Sequence, residues 1–213
     1  MNEEKASCRG VNLARVRRCT RVLDLVATLL TAPVWLPVLA ILSGLLLLTQ
    51  GRPVFFIQER VGFQGATFAV FKFRTMIDGA DNFLDEHGMP TRDRVTRLGR
   101  VLRRTSLDEV PQVINFLMGD MSLVGPRPVL PNWLEKIPGG STHRRFSVRP
   151  GLTGQAQVAG RNNVPWSKRL SLDADFVANY SVRNYLRILV ATPAALLRPS
   201  VSEDRNSAVV DDL

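Results

Sequence analysis

The chain has 213 residues, 45% of them apolar, which allows one folded domain plus a membrane element. Its 28 Lys and Arg against 19 Asp and Glu leave a net charge of +9, which calls for an anionic partner: a phosphorylated substrate, an acidic lipid surface or nucleic acid. The two cysteines, Cys8 and Cys19, and two isolated histidines, His87 and His143, exclude a disulfide framework, a zinc site and a His-based triad.

Residues 1–20 read as a basic juxtamembrane arm. Asp24 is the last charge before Arg52, and residues 25–48 are uncharged and mostly apolar. At a rise of about 1.5 Å per residue they make roughly 36 Å of helix, against a hydrocarbon core of about 30 Å. The run is too long for a signal peptide, and no small-residue cleavage site follows it. Pro33 and Pro37 fall near its middle. Each removes a backbone donor and crowds the preceding turn, which predicts a break. Both flanks are basic, with Arg15, Arg17, Arg18 and Arg21 before and Arg52 and Arg60 after. Positive charge favours the cytoplasmic side, so a re-entrant helix over residues 21–50 keeps both flanks there. Prolines also occur in spanning helices, and a single crossing stays open.

Residues 51–199 read as one α+β domain, mostly helical. Residues 54–59 and 67–73 are β-prone runs around Gly62 and Gly65, predicting a small hairpin. Residues 76–94 read as a polar loop or mobile helix. Residues 95–104 carry a helical apolar period, with Arg94, Arg97, Arg100, Arg103 and Arg104 interleaved. Pro111 would cost about 3 kcal/mol inside a helix. It is therefore expected in a first turn, with Asp108 or a neighbour as N-cap and Val113, Ile114, Phe116 and Leu117 on the buried face. Leu170, Leu172, Phe176, Val177 and Tyr180 predict one amphipathic helix. Residues 185–197 predict a second, kinked or shortened at Pro193. Such helices pack in a core or lie in a membrane interface. Residues 200–213 read as a disordered polar tail.

The chemistry concentrates at Asp108 and Glu109, two adjacent carboxylates just after the arginine run. Carboxylates among guanidinium groups suit phosphate chemistry, because arginine's planar fork grips phosphate oxygens with two bonds. A purely structural reading competes at this point: Ser106 and Glu109 fit a capping box and Asp108 fits an N-cap. Gly151, Gly154 and Gly160 either let backbone approach phosphate or make ordinary turns.

Four blocks stand in order: Lys72-Phe73-Arg74-Thr75-Met76; Ser106-Leu107-Asp108-Glu109-Val110-Pro111-Gln112; Gly119-Asp120-Met121-Ser122-Leu123-Val124-Gly125-Pro126-Arg127-Pro128; and Arg149-Pro150-Gly151-Leu152-Thr153-Gly154 through Gly160-Arg161-Asn162. Together they resemble the bacterial sugar transferases, the small monotopic phosphoglycosyl transferases, over about residues 15–198. The resemblance implies that residues 51–199 are a catalytic domain on the cytoplasmic face of the bacterial inner membrane. It implies transfer of a sugar 1-phosphate from a UDP-sugar to polyprenyl (undecaprenyl) phosphate, with release of UMP. Mg²⁺ and a covalent phosphosugar–aspartate intermediate come with it. By motif position Asp108 is the nucleophile and Glu109 its partner, both as metal ligands. Lys72, Arg103, Arg127, Arg149 and Arg161 are assigned to phosphate contacts. The resemblance also supports a re-entrant helix broken at Pro33, with membrane lipid as a partner.

This assignment makes physical sense. A carboxylate attacking a diphosphate meets like-charge repulsion, which Mg²⁺ and arginines offset. Covalent catalysis splits one transfer into two steps, so a soluble donor and a lipid acceptor need not meet at once. Some positions depart from the family pattern. Ala32 stands where relatives often carry serine, whose hydroxyl re-satisfies the broken helix. Gln155 and Ala159 stand where they often carry tryptophan and asparagine, which leaves the sugar unassigned. Without the multi-span N-terminal region of some relatives, the chain looks like the minimal catalytic form. Two other readings compete, an inactive membrane-anchored scaffold and a basic nucleic-acid binder. The second lacks any helix-turn-helix, zinc or RNA-binding signature, so nucleic acid is not an expected partner. The oligomeric state, a homodimer included, is left open.

Overall fold

The computed structural model describes residues 13–80, 94–160 and 163–196. In chain order these form α1 (Leu13–Leu30), α2 (Ala32–Gln50), the hairpin β1 (Phe55–Val61) and β2 (Thr67–Phe73), then α3 (Arg97–Thr105) and α4 (Val113–Met118). A parallel pair, β3 (Ser122–Val124) and β4 (Gly151–Thr153), precedes α5 (Gln155–Gly160), α6 (Trp166–Ala178) and α7 (Val182–Leu196). The mostly helical α+β class and the hairpin match expectation. The β-ladder runs from Phe55 opposite Phe73 to Val61 opposite Thr67. Residues 1–12, the expected tail, most of the polar stretch 76–94, and Arg161 lie outside the described residues.

The apolar N-terminal run breaks next to Pro33. α1 ends at Leu30, and α2 carries Pro33 in its first turn, where a missing N–H removes no helical bond. Side chains bond to carbonyls beside the break. The Trp35 indole N–H donates to the Thr28 carbonyl at 2.8 Å, and the Thr31 hydroxyl donates to Ala27 at 2.7 Å. Pro37 lies inside α2 without ending it.

α1 runs unbroken across residues 20 and 21 and buries Val16, Thr20, Asp24 and Thr28, a stripe four residues apart. The stripe is mostly polar because the domain meets it with polar groups. The Thr20 and Tyr180 hydroxyls bond at 2.8 Å. Asp24 accepts from the Ser122 hydroxyl at 2.8 Å, the Leu123 N–H at 2.9 Å and the Tyr185 hydroxyl. Arg21 donates to the carbonyls of Phe116 and Leu117, the end of α4. Val22, Val26, Leu29 and Leu30 are exposed.

α2 is long and apolar enough to cross a membrane by length and composition. It exposes Val34, Leu36, Ile41, Leu45, Leu47 and Leu48. Its inner face packs on the domain at both ends. Trp35 joins Val70, Val113, Phe116 and Met121, while Leu39, Leu42 and Leu46 join Phe73 and Leu102. Trp35 and Leu46 are about 16 Å apart along the helix, so α2 lies along the domain. Arg74, from the first sequence block, donates to the carbonyls of Gln50, Gly51 and Arg52 and so closes the C-terminal end of α2.

The two C-terminal helices complete the core. Phe176 and Tyr180 pack with Tyr185 and Ile188 of α7, and with Val16, Val124 and Val148. α7 continues through Pro193 to Leu196, so the proline falls in its last turn. It turns Tyr185 and Ile188 inward and leaves Leu186 and Val190 exposed. The parallel pair β3–β4 depends on backbone contact at glycine. A Cβ on Gly151 would lie 2.0 Å from the Gly125 nitrogen, and one on Gly154 would lie 2.3 Å from the Gly125 carbonyl oxygen. No side chain fits there.

Candidate active site

The turn after α3 carries the two carboxylates. Ser106 takes a left-handed conformation at φ 59°, unusual for a residue other than glycine. A 3₁₀ stretch, Leu107–Gln112, follows with Asp108 and Glu109 in its first turn. An α-helix starting at Leu107 would need a donor at Pro111, which has none. The α-geometry therefore begins only at Val113, and Pro111 sits in the 3₁₀ stretch instead of a first α-turn. Ser106, not Asp108, takes the cap position, and its side chain makes no cap bond. The capping box therefore does not form.

α4 packs through Val113 and Phe116, with Ile114 partly covered, while Leu117 is exposed, against expectation. Asn115 is fully buried instead. Its amide oxygen accepts from the Phe71 N–H at 3.2 Å, and its amide nitrogen donates to the Ala69 carbonyl at 2.6 Å. One side chain thereby fixes α4 against β2. On the other side of the turn, Leu107 and Val110 flank the carboxylates and pack in the cluster that holds Leu39, Leu42 and Leu46 of α2. The acidic pair is seated on the apolar helix.

Two cations converge on Glu109. Lys72 Nζ and Arg127 Nη2 each lie 2.9 Å from the same oxygen, Oε1. Lys72 comes from β2, and Arg127 from the loop after β3. The Glu109 side chain is only 15% exposed. Burial pushes its carboxyl up, but Arg127 and Lys72 outweigh this and hold it at about 2. It is ionised throughout the neutral range.

The structure therefore brings Lys72, Arg127 and Glu109 together, with Asp108 adjacent in the chain. Arg103 donates through Nε to the Thr75 hydroxyl at 2.9 Å. Arg149 donates through Nε to the Gly119 carbonyl at 2.7 Å, at the end of α4. These bonds join the sequence blocks: the first and third to the second at Glu109, and the fourth to the third at Gly119. Asn115 and Trp35 were not singled out from sequence.

Among the described residues no group of three or more His, Cys, Asp or Glu side chains could hold a metal ion. Two adjacent carboxylates fit Mg²⁺ in a different way. This ion commonly binds one or two carboxylates together with substrate phosphates and keeps its remaining waters.

The sequence model of the family described as "Bacterial sugar transferase" matches residues 15–199. The chain is 44% identical over 147 residues to an uncharacterized sugar transferase, EpsL, of Bacillus subtilis, covering 69% of this chain and 71% of that one. It is 39% identical over 189 residues to the UDP-glucose:undecaprenyl-phosphate glucose-1-phosphate transferase of Caulobacter vibrioides, covering 83% and 69%. To the UDP-galactose-lipid carrier transferase of Erwinia amylovora it is 37% identical over 204 residues, covering 88% of this chain but 42% of that longer protein.

The Glu109 ion pairs set a pH dependence. A folded-state value of about 2 against an ordinary 4.5 contributes stability that is complete above pH 4.5 and is lost as pH falls toward 2. The contribution is about 3 kcal/mol. Unfolding in detergent is expected to show that loss between pH 5 and pH 2 in the wild type and not in Glu109→Gln. Parallel pH profiles for the two proteins would contradict it.

Proposed function

Because the chain belongs to the bacterial sugar transferase family, we propose that it moves a sugar 1-phosphate from a UDP-sugar to polyprenyl phosphate, the first membrane step of a bacterial glycan assembly. The observation that carries this reading is Glu109 held by Lys72 and Arg127, beside Asp108, on a turn packed against α2. The names of the Caulobacter and Erwinia relatives supply the substrate class: UDP-glucose or UDP-galactose as donor, with an undecaprenyl phosphate or lipid-carrier acceptor.

In the first half-reaction the Asp108 carboxylate attacks the phosphorus that bears the sugar. The bond from that phosphorus to the bridging oxygen breaks, and UMP leaves with the electron pair. In the second, a phosphate oxygen of the lipid attacks the same phosphorus and displaces Asp108, giving the polyprenyl diphosphate sugar. Lys72 and Arg127, which meet at Glu109, offset the repulsion between carboxylate and diphosphate and stabilise the charge that spreads over the phosphoryl oxygens. Glu109 orients these cations in the free enzyme. Bound Mg²⁺, held by Asp108 and Glu109, would supply further neutralisation of the diphosphate. Arg103 and Arg149 brace Thr75 and Gly119 and lend positive potential to the site.

The α1–α2 segment enters and leaves the bilayer from the cytoplasmic side. Three features support this topology. α1 is bonded to the domain through Thr20, Arg21 and Asp24, α2 packs on the same domain from Trp35 to Leu46, and Arg74 closes its far end. A crossing helix would have to carry one of these contacts to the opposite face. The exposed residues of both helices, from Val22 to Leu48, are then the lipid-facing surface.

Purified enzyme in nanodiscs is expected to release UMP from UDP-glucose or UDP-galactose when undecaprenyl phosphate and Mg²⁺ are present. Asp108→Asn is expected to lower that turnover by at least about 10³-fold while leaving membrane association intact. Activity within tenfold of wild type in that variant would remove the covalent mechanism. For the topology, cysteines introduced near Arg18 and Arg52 are both expected to be labelled from the cytoplasmic side only. Labelling from opposite sides would establish a spanning helix.

A further inference from the structure

Arg127 occupies an exposed place between two prolines, with 48% of its side chain open to solvent. Packing of the side chain itself does little to aim it. Its backbone, however, is gripped from below. Arg145 donates through Nη2 to the Arg127 carbonyl at 2.6 Å. The same nitrogen lies 3.1 Å from Asp173 Oδ2 on α6, and the two side chains are only 3% and 4% exposed. The Arg145 guanidinium also lies over the rings of Phe146 and Trp166, 5.6 Å from each centroid.

Such a pair is an expensive way to fill a core. Removing two charges from water costs several kcal/mol per ion, and apolar residues of the same volume often stabilise a fold as well or better. Burial pushes the Asp173 carboxyl up to about 6 even with Arg145 and Arg169 beside it. What apolar residues cannot provide is a charged donor aimed at one carbonyl.

We propose that Arg145, held by Asp173, is a positioning residue for Arg127: it fixes the backbone of residues 126–128 so that the Arg127 guanidinium meets Glu109 and the donor's diphosphate. The proposal rests on the transferase reading above and deepens it. Neither Arg145 nor Asp173 touches substrate. Their effect passes through Arg127 alone, which separates this role from general support of the fold.

A double-mutant cycle in the full-length protein tests it. Arg145→Met with Asp173→Asn removes both members of the buried pair together, so neither is left buried without the other. Both kcat/KM for UMP release from a UDP-sugar and the affinity for UMP by calorimetry are measured, because binding stays readable where turnover becomes too slow. In the otherwise wild-type protein the paired change is expected to lower both by about 10- to 100-fold. In an Arg127→Ala background the same change is expected to cost less than about twofold, since the group it positions is gone. Equal factors in both backgrounds, or no loss in the first, would overturn the proposal and leave the transferase reading standing. A wild-type protein that neither binds UMP nor releases it would instead remove that reading. If the paired variant does not fold, Arg145→Lys carries the same cycle: it keeps charge beside Asp173 but shortens the reach to the Arg127 carbonyl.

Discussion

A single carboxylate oxygen, Glu109 Oε1, receives two cations, and the rest of the domain is arranged to let them meet. Lys72 arrives on a hairpin strand, Glu109 on a 3₁₀ turn and Arg127 on a loop beyond a short parallel strand. None of these segments places its charge alone. Asn115 joins the helix after the turn to β2, so the spacing between Lys72 and Glu109 is set by two amide hydrogen bonds. The contacts of Gly125 with Gly151 and Gly154 let β3 and β4 pair closely and launch the loop that carries Arg127. Arg149 braces the intervening turn at Gly119.

The membrane element belongs to the same construction. Its first helix presents a polar stripe to the domain and an apolar one outward, the reverse of a simple anchor whose whole circumference is apolar. Arg21 holds the end of α4 while Asp24 holds the start of β3, so one helix face spans the turn between them. The second helix underlies the acidic turn through Leu42 and Leu46. In the proposed function this seating is what allows a soluble nucleotide sugar and a lipid phosphate to reach the same aspartate.

Much of this architecture was legible from local pattern. The β-prone runs around Gly62 and Gly65, the apolar periods of α3, α6 and α7, and the break beside Pro33 each follow from a rule that acts within a few residues. The clustering of Lys72, Glu109 and Arg127 was legible only through the ordered blocks and their family resemblance, because the contacts join distant segments. Other features depended on partners that periodicity does not reveal. Asn115 is a polar residue in an apolar run, and its burial depends on backbone groups of β2 that its amide satisfies. Nothing in the sequence singles out Trp35, whose indole answers the Thr28 carbonyl across the break. Strands of three residues, such as β3 and β4, are too short to alternate visibly. Leu117 escapes burial although the helical period points it inward, because α4 ends at Met118 and Arg21 occupies its terminal carbonyls.

The central claim is that Asp108 carries the sugar phosphate between two half-reactions. Mixing the enzyme with a UDP-sugar that it uses, without any lipid acceptor, and measuring its intact mass tests this directly. The account predicts a mass gain of one sugar phosphate that Asp108→Asn does not show, one equivalent of UMP released, and return to the original mass when undecaprenyl phosphate is added. UMP release that begins only with the lipid present, from an enzyme whose mass never changes, would contradict it.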